Sequence, residues 1–315
     1  MPATRPPSGE PHTVRLRSAT MHFEQRPPMQ VFYRPEQSVI VHSASPSAGK
    51  PALVVADWRE RFGERITIAD FEPVTREDFY RVHDRSYVDA VFALERPNGF
   101  GTRQPEVPES LRYTSGSMRA AALAAWRRGG ITASPTAGFH HAHYSGGGAY
   151  CTFNGLVLAA LAVLDARARQ LAIIDCDYHY GDGTHDILLR LGLYDHVRHW
   201  SLAARSGSER QALARLEAAL AENLPGSELL IYQAGADSHE DDPLGGVFTT
   251  AGYRERDRMV FTAAARAGVP VAWNLAGGYQ EPLGKVLELH AITMGEALVA
   301  EGVGANTALH AGQEQ

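Results

Sequence analysis

Three stretches of this chain, QLAIIDCD (170–177), ELLIYQAG (228–235) and VPVAWNLAG (269–277), carry apolar residues at consecutive positions rather than in alternation. A strand sends successive side chains to opposite faces, so such runs suit a sheet covered on both sides. Four shorter β-like runs join them: QVFY (30–33), RITIAD (65–70), GITAS (130–134) and VRHWSL (197–202). Between the runs the apolar period becomes helical, in REDFYRVHDRSYVDAVFALE (76–95), SGSMRAAALAAWRRG (115–129), NGLVLAALAVLDARARQ (154–170), ERQALARLEAALAENL (209–224) and YRERDRMVFTAAARAG (253–268). This alternation predicts an α/β fold: a single doubly wound, mainly parallel sheet with helices on both faces. No fixed repeat and no linker long enough to separate two domains interrupts it. The folded domain is expected over 29–302, between a disordered tail at 1–28 and a C-terminal tail at 303–315. Met21 and Met29 lie at or before that boundary, so a native start downstream of Met1 is expected.

In sheets of this kind ligands sit beyond the carboxyl ends of the strands. There the first run changes character: IIDCDYHYGDG (173–183) brings Asp175, Asp177, His179 and Asp182 close together in sequence. If the extended conformation persists, Asp175, Asp177 and His179 share one side. Burying unpaired carboxylates costs several kcal/mol or more, so a cation, a proton or a set of donors must offset it. A metal ion is the natural candidate. With Asp237, from QAGADSHEDDPLGG (233–246), Asp177 and His179 make a two-carboxylate, one-imidazole set that leaves a coordination position open, as catalytic zinc sites do. Taken singly, Asp177 reads as a strand-end acid and Asp237 as a turn residue; the combination with His179 favours the metal.

Two further segments follow predicted strands and point to the same rim. GFHHAHYSGGGAYCTFNG (138–155) carries the adjacent His140 and His141, able to serve as general base and electrostatic partner when a second group fixes each ring. Asp175 and Asp182 suit that role. NLAGGYQ (274–280) puts Tyr279 on a Gly-rich turn, from which a phenol can donate to an oxygen developing negative charge. The glycines 146–148 lack the Lys-Ser/Thr of a phosphate loop. Cys151 and Cys176 read as small core residues, and His239 and Asp241 as solvated loop positions. Together the segments describe metal-assisted hydrolysis of a carbonyl bond; no serine elbow or cysteine dyad competes with it.

In order and spacing, GFHHA, DCDYHYGDG, GADSHEDDPLGG and GGY resemble the histone deacetylase superfamily, which includes bacterial acetylpolyamine amidohydrolases. Upstream, VHDRSYVDAVF resembles the family's His-x-x-x-Tyr helix and YTSGSMRAAALAA its Thr/Gly-rich helix start; GFHHAHYSGGGAYC, DPLGG and GGYQ are most similar to class IV deacetylases. The resemblance implies an arginase/deacetylase fold with Zn²⁺ held by Asp177, His179 and Asp237. It implies His140 and His141 as the acid/base pair, coupled to Asp175 and Asp182 respectively, and Tyr279 as the transition-state tyrosine. Tyr150 would line the acyl-lysine tunnel, with Leu244 near its wall and Ala149 and Gly277 among the substrate-lining positions. A potassium ion is implied near Asp175, Asp177, His179, Ser201 and Leu202. The chain departs from the family in a short SLAARSGSER after the Ser-Leu pair, in ASPTAGF before the histidines, and in Ala149 where Gly is common. These departures bear on the substrate; the catalytic inventory is complete.

The implied substrate is an N-acylated amine, acyl-lysine or acylpolyamine. A formal charge of −6 and a pI near 6.2 argue against nucleic acid. No apolar run approaches the ~18 residues of a membrane span, and two cysteines provide no disulfide framework, so a cytoplasmic home is expected. Oligomeric state is open, a homodimer being compatible. Two other readings compete with this one. A binuclear manganese ureohydrolase of arginase type needs more bridging carboxylates and Asp-x-His-x-Asp, where this chain has Asp-x-Asp-x-His. A non-catalytic acyl-lysine or metabolite binding module would be favoured by loss of a ligand or of Tyr279, and none is lost.

Overall fold

The computed structural model describes residues 27–203 and 207–311, with side chains described as far as residue 302. The expected N-terminal tail lies almost entirely outside the described residues. In chain order the elements are β1 (Met29–Phe32), α1 (Lys50–Phe62), β2 (Ile66–Ala69), α2 (Arg76–Tyr80), α3 (Arg85–Phe92), α4 (Glu106–Arg128), β3 (Ile131–Ser134), α5 (Gly155–Asp165) and β4 (Leu171–Asp175). They continue as α6 (Asp182–Arg190), β5 (Val197–Ser201), α7 (Glu209–Asn223), β6 (Leu230–Gln233), α8 (Thr250–Ala267), β7 (Val271–Asn274) and α9 (Gly284–Ala311). All seven predicted strands are present. They form one sheet in the order β2-β1-β3-β7-β6-β4-β5, every pair parallel.

The two-faced apolar pattern divides the core into two layers. Leu171, Ile173, Ile231 and Ala272 face α2 to α6, against Phe79, Met118, Leu156 and Ile187. Their neighbours Ala172, Ile174, Leu230, Tyr232, Val271 and Trp273 face α1, α7, α8 and α9, against Trp58, Leu216, Phe261 and Met294. Because the strands run parallel, their carboxyl ends lie along one rim, and each connecting loop there delivers polar residues to the same crevice.

The helices differ from expectation in three places. The single helix expected over 76–95 is two, because Asp84 turns away to donate its N–H to the Tyr144 carbonyl (2.8 Å) while its side chain accepts from the Tyr87 N–H (3.2 Å) and caps α3. α1 and α6 were not legible as helices, since both mix charged residues into short apolar spacing. α9 is a further helix that the sequence reading does not include, and it runs to Ala311, past the expected domain boundary at 302.

Candidate active site

β4 stops at Asp175, and the chain beyond it curls instead of staying extended. The Asp177 N–H donates to Asp175 Oδ1 and the His179 N–H to Asp177 Oδ1, each at 3.0 Å. The grouping expected from strand alternation therefore comes from carboxylates that bend the backbone over themselves, in the manner of Asx turns. Asp237 enters from the short 3₁₀ turn Ala236–Ser238 after β6. His179 Nδ1 lies 3.2 Å from Asp177 Oδ1 and 3.1 Å from Asp237 Oδ2, and the three candidate ligand atoms fall within 4.8 Å of one another.

Two glycines make this approach feasible. A Cβ on Gly235 would lie 2.5 Å from Asp177 Cα, and one on Gly277 2.6 Å from the Asp237 carboxylate. Gly277, expected to line the substrate path, also donates its N–H to Asp177 Oδ2 at 2.9 Å. Its own role is thus partly to let the two acids meet.

The donor set fits a divalent cation. Asp177 and Asp237 are buried side by side, and burial together with the charge of Asp177 pushes the Asp237 carboxyl up to about 8. The hydrogen bonds that its ring makes to Asp177 and Asp237 lift His179 to about 10. With protein groups alone, the cluster offsets its buried negative charge by retaining protons. A metal ion would replace those protons, as ligand binding through deprotonated carboxylate and imidazole requires.

His140 and His141 sit in the loop after β3, ring centroids 4.0 Å apart. His140 is buried, with Nδ1 2.8 Å from Asp175 Oδ2 and Nε2 3.6 Å from Asp177 Oδ1. Burial opposes its charged form, but the charges of Asp177 and Asp175 outweigh this and raise it to about 9. His141 Nδ1 lies 2.7 Å from Asp182 Oδ1; burial and the neighbouring His140 charge lower it despite that acid. Both expected His–Asp couples are therefore formed. Asp182 opens α6 and is half exposed.

A cavity of about 90 Å³ lies among these groups. His140, His141, Asp177 and His179 line it, with Tyr279, Gly277, Ala149, Tyr150 and Leu244, so the expected substrate-side residues converge there. Tyr150 and Tyr279 face each other at 5.7 Å between ring centroids. Ala149 and Tyr150 both adopt left-handed backbone (φ +45° and +65°), and Tyr150 is anchored through its N–H to the Gly99 carbonyl at 2.9 Å. That conformation is why a glycine would be at ease at 149. Tyr279 is not on a loose turn: its N–H donates to Asp242 Oδ2 at 2.7 Å. Burial and the nearby charges of Asp177 and Asp237 raise its phenol well above the ordinary tyrosine range. Ser201 and Leu202, at the end of β5, adjoin Asp175: Ser201 pairs with it in register, and the Leu202 N–H donates to its carbonyl at 2.8 Å.

Several site residues escaped the sequence reading. Gln233 lines the cavity and donates Nε2 to Asp175 Oδ1 at 3.1 Å. Lys50 is completely buried, and its Nζ donates to the Ala276 carbonyl at 2.9 Å, beneath the turn bearing Tyr279. His239 is buried rather than solvated: Nε2 faces Thr250 Oγ1 at 3.0 Å, and Nδ1 faces Gln280 Nε2 at 3.2 Å. Asp241 is exposed, as expected. Cys151 and Cys176 are buried and unpaired. Among the described residues no helix is long and apolar enough to cross a membrane.

The sequence model of the histone deacetylase domain matches residues 52–202 and 201–292, which contain every group described above except Lys50. The chain belongs to the histone deacetylase family. Its family relatives include an acetylpolyamine amidohydrolase of Mycoplana ramosa, 27% identical over 173 residues (45% of this chain, 50% of the relative). Histone deacetylase 2 of Arabidopsis thaliana is 30% identical over 199 residues (56% of this chain, 51% of the relative). An uncharacterised Picosynechococcus protein is 28% identical over 238 residues (67% of this chain, 78% of that protein). The matched part thus spans about half the length of the named enzymes. Among solved structures, an acetylpolyamine aminohydrolase from Burkholderia pseudomallei superposes with TM-score 0.66 at 18% identity, over 85% of this chain and 98% of that one. The HDA15 HD domain gives 0.69 at 19%, over 90% and 93%. These bear out the fold and the family resemblance.

Proposed function

We propose that this protein is a zinc-dependent amidohydrolase that removes a short acyl group from an N-acylated amine, acyl-lysine or acylpolyamine in class. The single observation that supports this most is the convergence of three elements on one small cavity: an Asp–His–Asp ligand group, two carboxylate-paired histidines and a tyrosine. Asp177, His179 and Asp237 would hold the zinc ion, which when bound would supply Lewis acidity toward the acyl carbonyl and lower the pKa of the attacking water. With a cation offsetting the charges of Asp177 and Asp175 that otherwise keep it protonated, His140, fixed through Nδ1 by Asp175, offers Nε2 to take the proton of that water. His141, fixed through Nδ1 by Asp182, lies beside it, and the proton taken from the water passes from this imidazole pair to the leaving amine. The Tyr279 hydroxyl donates to the carbonyl oxygen as it gains charge, and its raised pKa keeps the proton on the phenol for that purpose. Asp175, Ser201 and Leu202 belong, on the same reading, to a potassium site beside His140.

The relatives' names favour acetylated amines, and a cavity of about 90 Å³ suits an acetyl-sized group better than a fatty chain. The ureohydrolase alternative needs additional carboxylates bridging two ions; the ligand group found among the described residues is Asp177, His179 and Asp237. The test is Tyr279→Phe in zinc-loaded protein. Turnover of acetyl-lysine or acetylpolyamine should fall about 10²- to 10³-fold with zinc content unchanged. Full activity in that variant would remove the mechanism.

A further inference from the structure

Arg256, on α8, has no solvent exposure. Nε and Nη2 donate to Asp257 Oδ1 at 2.9 and 2.7 Å, and the ring of Tyr253 covers Cζ at 3.9 Å. The remaining nitrogen, Nη1, points toward the sheet. It donates to the Gly235 carbonyl (2.6 Å), to Ser238 Oγ (2.6 Å) and, at 3.3 Å, to the Cys176 carbonyl.

These acceptors have a common feature. Cys176 immediately precedes Asp177, and Gly235 and Ser238 flank Asp237. The β4–β6 register ends at Asp175 opposite Gln233, after which one more backbone bond, Cys176 N–H to the Gln233 carbonyl at 2.9 Å, ties the two strand ends. Beyond it the ladder pairing ends while the segments stay in contact, Gly235 against Asp177 and the Tyr178 N–H on Asp237 Oδ1 at 3.2 Å, and Nη1 bonds to both of them from the helix side. A buried ion pair adds little stability compared with apolar residues of the same volume, so Arg256–Asp257 needs a reason other than fold stability. Asp257 is itself held, by the Tyr232 hydroxyl on Oδ1 (2.5 Å) and by Thr293 Oγ1 on Oδ2 (2.6 Å), which leaves the guanidinium one orientation.

We propose that Arg256 is a positioning residue: bolted to Asp257, it sets the separation of the two strand ends that carry Asp177 and Asp237, and thereby the spacing of the metal ligands. This rests on reading those two acids as ligands, and its test is metal binding rather than turnover. Lysine keeps the charge but not the planar fork, so it cannot hold Asp257 and the strand-end carbonyls together.

Metal-free protein is titrated with zinc against a chelator, and separately loaded with cobalt(II) for its visible spectrum. Arg256→Lys should weaken zinc binding about 10- to 100-fold, the range seen when groups that orient metal ligands are lost, and should alter the cobalt spectrum. Ser238→Ala, a milder change for the case where Arg256→Lys does not fold, should shift both in the same direction by less. Val163→Ala, a core truncation on α5, should lower thermal stability while leaving zinc affinity within twofold. Folded Arg256→Lys with wild-type zinc affinity and cobalt spectrum overturns the proposal; so does Ser238→Ala with both unchanged where it is the variant that folds. Wild-type protein that binds zinc but cleaves no acylamide defeats the deacylase reading alone, and wild-type protein that binds no metal defeats both.

Discussion

Acid should unfold this protein partly through His83, which is not one of the Asp177, His179 and Asp237 group. The ring is fully buried between Phe153 and Tyr87, and both nitrogens are committed. Nδ1 lies 2.9 Å from the His143 carbonyl, so it must carry the proton, while Nε2 accepts the Asn154 N–H at 2.8 Å and must not. A second proton would set two donors against each other in a dry site. Burial lowers the ring from its ordinary 6.5 to about 4. The unfolded chain therefore binds this proton below pH 6.5, the folded one only below about 4. Stability from the neutral ring is complete above 6.5 and is lost as pH falls toward 4. At about 1.4 kcal/mol per pH unit, the interval holds roughly 3 kcal/mol. The assay is urea unfolding of metal-stripped wild type and His83→Gln at pH 7.5 and 4.5. The variant starts lower, having lost a well-placed ring, but wild type should lose about 2–3 kcal/mol more over that range than the variant. Parallel losses would refute the reasoning, since His199 and His290, also lowered by burial, remain in both proteins.

Other perturbations separate the parts of the site. Asp237→Asn removes a buried ligand and should abolish tight zinc binding, read by metal analysis after dialysis, with the far-ultraviolet circular dichroism of the fold retained. Asp182→Asn removes the negative charge facing His141 Nδ1 and should lower kcat about 10- to 100-fold with KM little changed, in steady-state assays. Across a series of acyl-lysine peptides, kcat/KM should fall steeply once the acyl group outgrows a cavity of about 90 Å³. Octanoyl hydrolysis as fast as acetyl would show that Tyr150 and Leu244 do not bound the site.

The sheet was legible because Leu171–Asp175, Leu230–Gln233 and Val271–Asn274 are apolar at every step, a pattern that only a sheet covered on both faces accommodates. The helix break at Asp84 was not, since it depends on a bond to Tyr144, sixty residues on, that no local period records. The same division holds in the site. His140, His141, Asp177, His179, Asp237 and Tyr279 are donors clustered in short segments at strand ends, so their chemistry shows in the sequence. Lys50 meets the Ala276 carbonyl across 226 positions, and Arg256 meets Cys176 across 80; each reads locally as an ordinary surface cation on a helix. The burial of His239 escapes for the same reason: its partners Thr250, at the start of α8, and Gln280, after β7, belong to different elements. What escapes is the scaffold that holds the reactive groups.

The most direct test of the account is acetate release from a panel of acetyl-lysine peptides and acetylpolyamines, as zinc is titrated into metal-free protein. The account predicts activity that rises in proportion to zinc and saturates at one ion per chain. No release from any substrate at full occupancy, or activity that requires two manganese ions per chain, would contradict it.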